Sequence, residues 1–236
     1  GNRILMLNGA AWDTLASLNS AANAMTVDAG DLVIGGGFTM VNGQPANRVA
    51  RWNGSAWSAF GSGPMGNVNA LTVHAGQLVA AGFLSPNNVV GWNASLAAWQ
   101  PLGAVFNGSV QSLASDGITL YAAGKFNTSG TNARWDGTQW LAVGPAFDNF
   151  FADPCLVTIW NGGAVFNRPM NGGVLAFWDG SGLSALGDSL VSFNFPVIGI
   201  WQMGTWGNKL VVSGTFQLQG TTPVNGIVIY DGQSWS

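Results

Sequence analysis

The chain has 236 residues, of which 47% are apolar and only 7% charged, with a net charge of −3 and no glutamate, all ten acids being aspartate. That balance leaves little material for exposed helices, whose surfaces are normally filled by Glu, Lys and Arg, and it lacks the basic patch that nucleic acid or an anionic membrane surface requires. No apolar stretch is long enough to span a bilayer, and a single cysteine, Cys155, permits no intrachain disulfide.

The first predicted element is a hairpin over residues 1–18, reading "RILMLNGAAWDTL" with Asn8-Gly9 at its tip. Asn-Gly or Asp-Gly between two alternating apolar runs is a strong hairpin signal, because both central residues of a type I′ turn take positive φ. The motif returns at Asn53, Asn93, Asp136, Asp179 and Asp231, with spacings of 45, 40, 43, 43 and 52 residues. A period of this length marks a stacked-repeat architecture.

Ahead of each of the last five turns lies a second strand pair: "NAMTV"/"DLVIGG", "NALTV"/"QLVAAG", "QSLAS"/"TLYAAG", "CLVTIW"/"AVFN" and "GIWQMG"/"KLVVSG". The repeat units run over 24–63, 68–103, 110–144, 155–187 and 197–236. Most of the second strands end in small residues followed by Phe38, Phe83, Phe126, Phe166 or Phe216. The glycines are expected to let neighbouring sheets approach, with each Phe as a wedge between them. Four short strands per unit predict an all-β fold, a five-bladed β-propeller of four-stranded antiparallel blades in one domain, 1–236. The surplus hairpin is expected to close the ring through the terminal strands; the alternatives are that the chain is excised from a longer array of repeats, or that the spare hairpin offers an open edge for self-association.

The segments "ARWDGTQW", "ARWNGSAW" and "LVIGGGFT" resemble the kelch-related Trp-Asp-Gly repeats of secreted and surface proteins, mainly bacterial. That resemblance implies a propeller and leaves function open, because propellers host unrelated activities. Copper oxidases among such propellers would need two His and two Tyr at the metal. Here His74 stands alone beside Tyr121 and Tyr230, so no metal or other cofactor is expected.

Asp136, Asp179 and Asp231 exchange with Asn between repeats and read as turn formers, while Asp28, Asp31 and Asp116 read as caps of the inner hairpins. Asp13, Asp148, Asp153 and Asp188 remain for the paired carboxylates a glycosidase needs, without a motif to join them. Most tryptophans, Trp12 among them, sit at repeat positions and read as packing. The off-pattern aromatics are Trp160, Trp201, Trp206 and Phe195, with Phe150, Phe151 and Asn149 in the connection "FDNFFADP". They form the candidate ligand-binding set, since binding concentrates in loop elaborations on rigid scaffolds.

The reading is therefore a non-catalytic interaction or structural module of an extracellular or cell- or virion-surface protein, with a protein or glycan partner. A lectin using the off-pattern aromatics is the alternative, and a glycoside hydrolase comes third.

Overall fold

The computed structural model describes residues 1–126, 132–144, 155–167, 175–186, 190–191, 199–218 and 223–236. It is all-β, and among the described residues no helix is long and apolar enough to cross a membrane. The chain divides into two compact units, Gly1–Val110 and Gln111–Ser236.

The first unit holds three antiparallel sheets. The N-terminal hairpin, β1 (Asn2–Asn8) and β2 (Ala11–Leu18), extends through the short strands β5 (Met40–Val41) and β6 (Gln44–Pro45). The second sheet orders β3 (Ala22–Asp28), β4 (Asp31–Gly36), β7 (Val49–Trp52) and β8 (Trp57–Ala59). The third orders β9 (Met65–His74), β10 (Gln77–Ser85), β11 (Val89–Asn93) and β12 (Ala98–Pro101). One apolar cluster joins Ile4, Ala16 and Leu18 to Ile34, Phe38 and Ala50, and another joins Val33 and Val49 to Leu71, Leu78 and Val90. Each sheet thus covers its apolar face with the next, as stacked repeats must.

The second unit repeats the pattern. One sheet is β13 (Val110–Ser115), β14 (Leu120–Gly124), β15 (Asn132–Trp135) and β16 (Trp140–Ala142). The next is β17 (Val157–Trp160), β18 (Gly163–Phe166), β19 (Ala176–Trp178) and β20 (Leu183–Ala185). In the last, β23 (Lys209–Leu218) pairs with β21 (Leu190–Val191), β22 (Gly199–Trp206) and β24 (Pro223–Tyr230). Among the described residues there are thus six sheets, one of them formed by the surplus hairpin with β5 and β6. Among the described residues β2 finds its partner at β5, where Leu18 faces Val41.

Side-chain hydrogen bonds tie successive sheets at a repeated place. Asn23 and Asn69 each occupy a bulge where the ladder register shifts. Their Nδ2 groups donate to the carbonyls of Val68 and Val110, at 2.9 and 3.1 Å. In the second unit Ser112 Oγ accepts from the amide of Val157 at 3.2 Å. Tryptophans of the outer hairpins make a second tie: Trp57 Nε1 donates to the Leu15 carbonyl and Trp99 Nε1 to that of Phe60.

Three expectations need correction. The outer turns at Asn53, Asp136, Asp179 and Asp231 are not type I′: only the glycine takes positive φ, 94° at Gly54 and 101° at Gly137, and the preceding Asn or Asp Oδ1 accepts the amides two and three residues on. Positive φ at both turn residues is found instead in the inner hairpins, at Ala29-Gly30, Ala75-Gly76 and Asn161-Gly162. The glycines divide their roles. A Cβ on Gly35 would stand 2.7 Å from Val68 of the next sheet, whereas one on Gly36 would stand 2.1 Å from the Ala21 carbonyl of its own hairpin. Finally, Phe38, Phe126 and Phe166 are buried wedges but Phe83 is 71% exposed. Gly82 faces Val68 as Gly36 faces Ala22, so Leu84 takes the place of Phe38 and Phe83 points outward.

Candidate functional site

The aspartates of the outer turns are consumed locally. Asp136 Oδ1 accepts from the Thr138 and Gln139 amides at 2.8 Å each. These backbone bonds hold its carboxyl down at about 2, and the same cause lowers Asp179 and Asp231. A carboxylate so held stays ionised and is unsuited to donate a proton at neutral pH. Asp116 caps its turn as expected, through the amides of Ile118 and Thr119. Asp28 and Asp31 do not: both pair with Arg51, at 2.8 and 3.4 Å, and its guanidinium lies 4.4 Å over the Phe60 ring. Asp13 accepts from Asn8 Nδ2 at the first hairpin. Asp148, Asp153 and Asp188 lie outside the described residues, and no group of three or more metal-ligating side chains occurs among those that are described.

The repeat tryptophans pair within their hairpins, Trp52 with Trp57, Trp92 with Trp99 and Trp135 with Trp140, at ring separations of 5.5–5.6 Å. Such tilted and edge-on pairs are structural packing. Trp12 departs from its counterparts in being 65% exposed.

Of the off-pattern set, Trp160 is no surface ring. It is 7% exposed, packs against Phe177 and Tyr230, and donates its Nε1 proton to the Asn208 carbonyl at 2.9 Å. It stands at the end of β17 opposite Gly163, where the inner hairpin turns, so the succeeding sheet covers it. Phe195, Phe150, Phe151 and Asn149 lie outside the described residues.

Trp201 and Trp206 are exposed, by 58% and 71%. Trp201 is the bulge residue of β22, flanked by Ile200 opposite Gly214 and Gln202 opposite Ser213. It fills the place where β3 and β9 carry the tying asparagines. Trp206 faces Lys209, Gly204 faces Val211, and through β24 Ser213 faces Ile227. Because residues directly opposite share a face, Trp206, Gln202, Lys209 and the 66% exposed Ile227 form one solvent-facing surface, while Met203, Leu210, Val212 and Val228 are buried on the other.

A second apolar surface escaped the sequence reading. Met65 and Phe83, each 71% exposed, flank a depression of about 540 Å³ that Leu84, Pro86 and Phe106 also line. The signal was one of spacing: Phe38 comes five residues after Val33, but Phe83 only four after Val79.

No family model and no curated protein sequence matches this chain. Among solved structures, that of YjhT is similar with a TM-score of 0.60 at 13% identity, over 96% of this chain and 87% of that one. The extracellular domain of the hybrid two-component system BT4673 from B. thetaiotaomicron is similar with a TM-score of 0.57 at 10% identity. That match covers 99% of this chain, which spans about a third of the other's length (34%). At such identities the likeness speaks for fold alone. Together with the six antiparallel sheets it supports a β-propeller.

Proposed function

We propose that this chain is a non-catalytic interaction module, in which five complete repeat sheets serve as the blades of one propeller and present a ligand surface on β22 and β24. The carrying observation is the contrast between the hairpin tryptophans, paired ring against ring, and Trp201 and Trp206, which face solvent from a strand whose other face is core. Rigid exposed aromatics beside Gln202 and Lys209 suit a protein or glycan partner. An extracellular or surface location fits the low charge and the extracellular domain with which the chain shares its fold.

The second reading is a lectin, favoured by the same two rings, since aromatic faces stack on sugars. A glycan array with the parent chain and with Trp201→Ala and Trp206→Ala separates the two. Glycan signal lost in both variants supports the lectin; no glycan signal, with protein capture lost in both variants, supports the protein partner. Hydrolysis of a glycoside that disappears on replacing Asp13, Asp148, Asp153 or Asp188 would overturn the non-catalytic reading.

A further inference from the structure

We propose that the end of the first unit where β4, β8 and β10 finish binds a small organic carboxylate, with its acid group on Arg48 and its apolar body on Met65 and Phe83. The inference goes beyond the ligand surface of β22 and β24 and rests on residues of the first unit alone.

Arg48 departs from the repeat. Its carbonyl accepts from the Gly36 amide at 2.9 Å as that of Asn88 accepts from the Gly82 amide at 3.0 Å, so the two residues hold one place in successive sheets. Asn88 uses its side chain locally: Oδ1 accepts from the Leu84 amide, and Nδ2 donates to the Phe106 and Gly108 carbonyls. Arg48 stands at φ 65°, and around it the Val49 amide donates to the Asn47 carbonyl at 2.7 Å. That is a γ-turn of the strained hand, unfavourable for any residue but glycine. The half-buried guanidinium donates through Nη1 to the Gly37 carbonyl; among the described residues its other N–H groups meet no acceptor, and no carboxylate pairs with it. Arg51, by contrast, is neutralised by Asp28 and Asp31. A half-buried cation without a counter-charge in its own chain favours an anion from outside it.

With Thr39, Asn47, Ser62 and Gly63, Arg48 lines a cavity of about 310 Å³. Thr39 Oγ1 accepts from Asn19 Nδ2 at 2.7 Å and so keeps its own proton to donate. Met65 and Gly66 line this cavity and also the apolar depression of about 540 Å³ beside Phe83, Pro86 and Phe106, so the two adjoin there. Gly66, at φ 113°, leaves the junction without a side chain. One end of the combined site is thus cationic and hydroxyl-bearing, the other apolar and aromatic. That polarity identifies the ligand as a carboxylate joined to a hydrocarbon body of several carbons. Cavities of this order suit a small molecule held by an apolar lining and a few polar groups. The guanidinium matches the two oxygens of a carboxylate, and a flexible methionine beside an aromatic ring adapts to an alkyl chain.

The test is calorimetric titration of the full chain with octanoate, with octanamide as its uncharged analogue and acetate as the acid group alone. Octanoate is expected to bind about tenfold or more tighter than either. Arg48→Asn places there the residue that the next sheet carries, one that tolerates positive φ. It is expected to weaken octanoate by about tenfold or more and to leave octanamide within about twofold. Phe83→Ala and Met65→Ala are each expected to weaken both long-chain probes by about threefold or more. Leu96→Ser, at an exposed turn, is expected to change binding by less than about twofold. Parent chain that binds octanoate no better than octanamide, or no better than acetate, would overturn the proposal, and this comparison stands even where a variant fails to fold. Equal octanoate binding by the parent and a folded Arg48→Asn would overturn it as well.

Discussion

Asn23 donates its Nδ2 proton to the carbonyl of Val68 across 2.9 Å, and in doing so ties the inner strand of one sheet to that of the next. Asn69 donates likewise to the carbonyl of Val110, the last residue of the first unit. Each asparagine reaches out because a bulge turns it from its own ladder toward the neighbouring sheet, so the irregularity in one sheet supplies the tie to the following one.

Removing that tie has a foreseeable cost. Asn23→Ala leaves the Val68 carbonyl without its donor in a part-buried place and is expected to destabilise by about 1–2 kcal/mol. Asn69→Ala should match it. Urea unfolding of the single and double variants checks both, and because Val68 and Asn69 are neighbours at one bulge the double variant is expected to depart from additivity by about 0.5 kcal/mol or more.

Acid should loosen the outer turns. The Asp136 carboxyl is lowered from 3.8 to about 2 by its backbone hydrogen bonds. A carboxylate depressed by folding stabilises fully above its unfolded pKa, and that contribution vanishes as pH falls through the folded value. Stability is therefore expected to fall between pH 4 and pH 2. Asp136→Asn keeps the accepting oxygen, as Asn53 does, and should show a shallower decline in thermal midpoint across that window.

Phe38 and Phe83 carry the same local motif and different consequences. Phe38→Ala empties a fully buried site and is expected to cost about 3–5 kcal/mol. Phe83→Ala is expected to stay within about 0.5 kcal/mol, as exposed substitutions do. Denaturant midpoints of the two variants decide the matter.

Gly36→Ala tests the bulge directly. Its Cβ would press on the backbone oxygen of Ala21, which cannot rotate away as a side chain would. A loss of about 1–3 kcal/mol is expected. Gly30→Ala, in open space at φ +88°, should lose only the cost of its turn conformation, about 1 kcal/mol.

Trp206→Ala removes a ring that contributes little to the core, so stability is expected to change by less than about 0.5 kcal/mol. Trp160→Ala is expected to cost about 3–5 kcal/mol. Thermal unfolding separates the binding surface from the core in this way before any ligand is known.

By itself the sequence determined the strands, their turns and their period, because alternation, Asn/Asp-Gly tips and small-residue strand ends are local properties that each repeat states again. It also set the tryptophans of the hairpins apart from those of β22. Only the tertiary structure decided which copy of a repeated residue is covered. Trp160 and Trp206 both end an inner strand before its turn, yet Trp160 is core, packed against Phe177 and Tyr230, and Trp206 faces water. Leu71 and Met25 hold the same register place in their inner strands, yet Leu71 is 8% exposed and Met25 60%. Burial depends on the neighbour a residue meets, and that neighbour lies some forty residues away along the chain, beyond the reach of any local pattern.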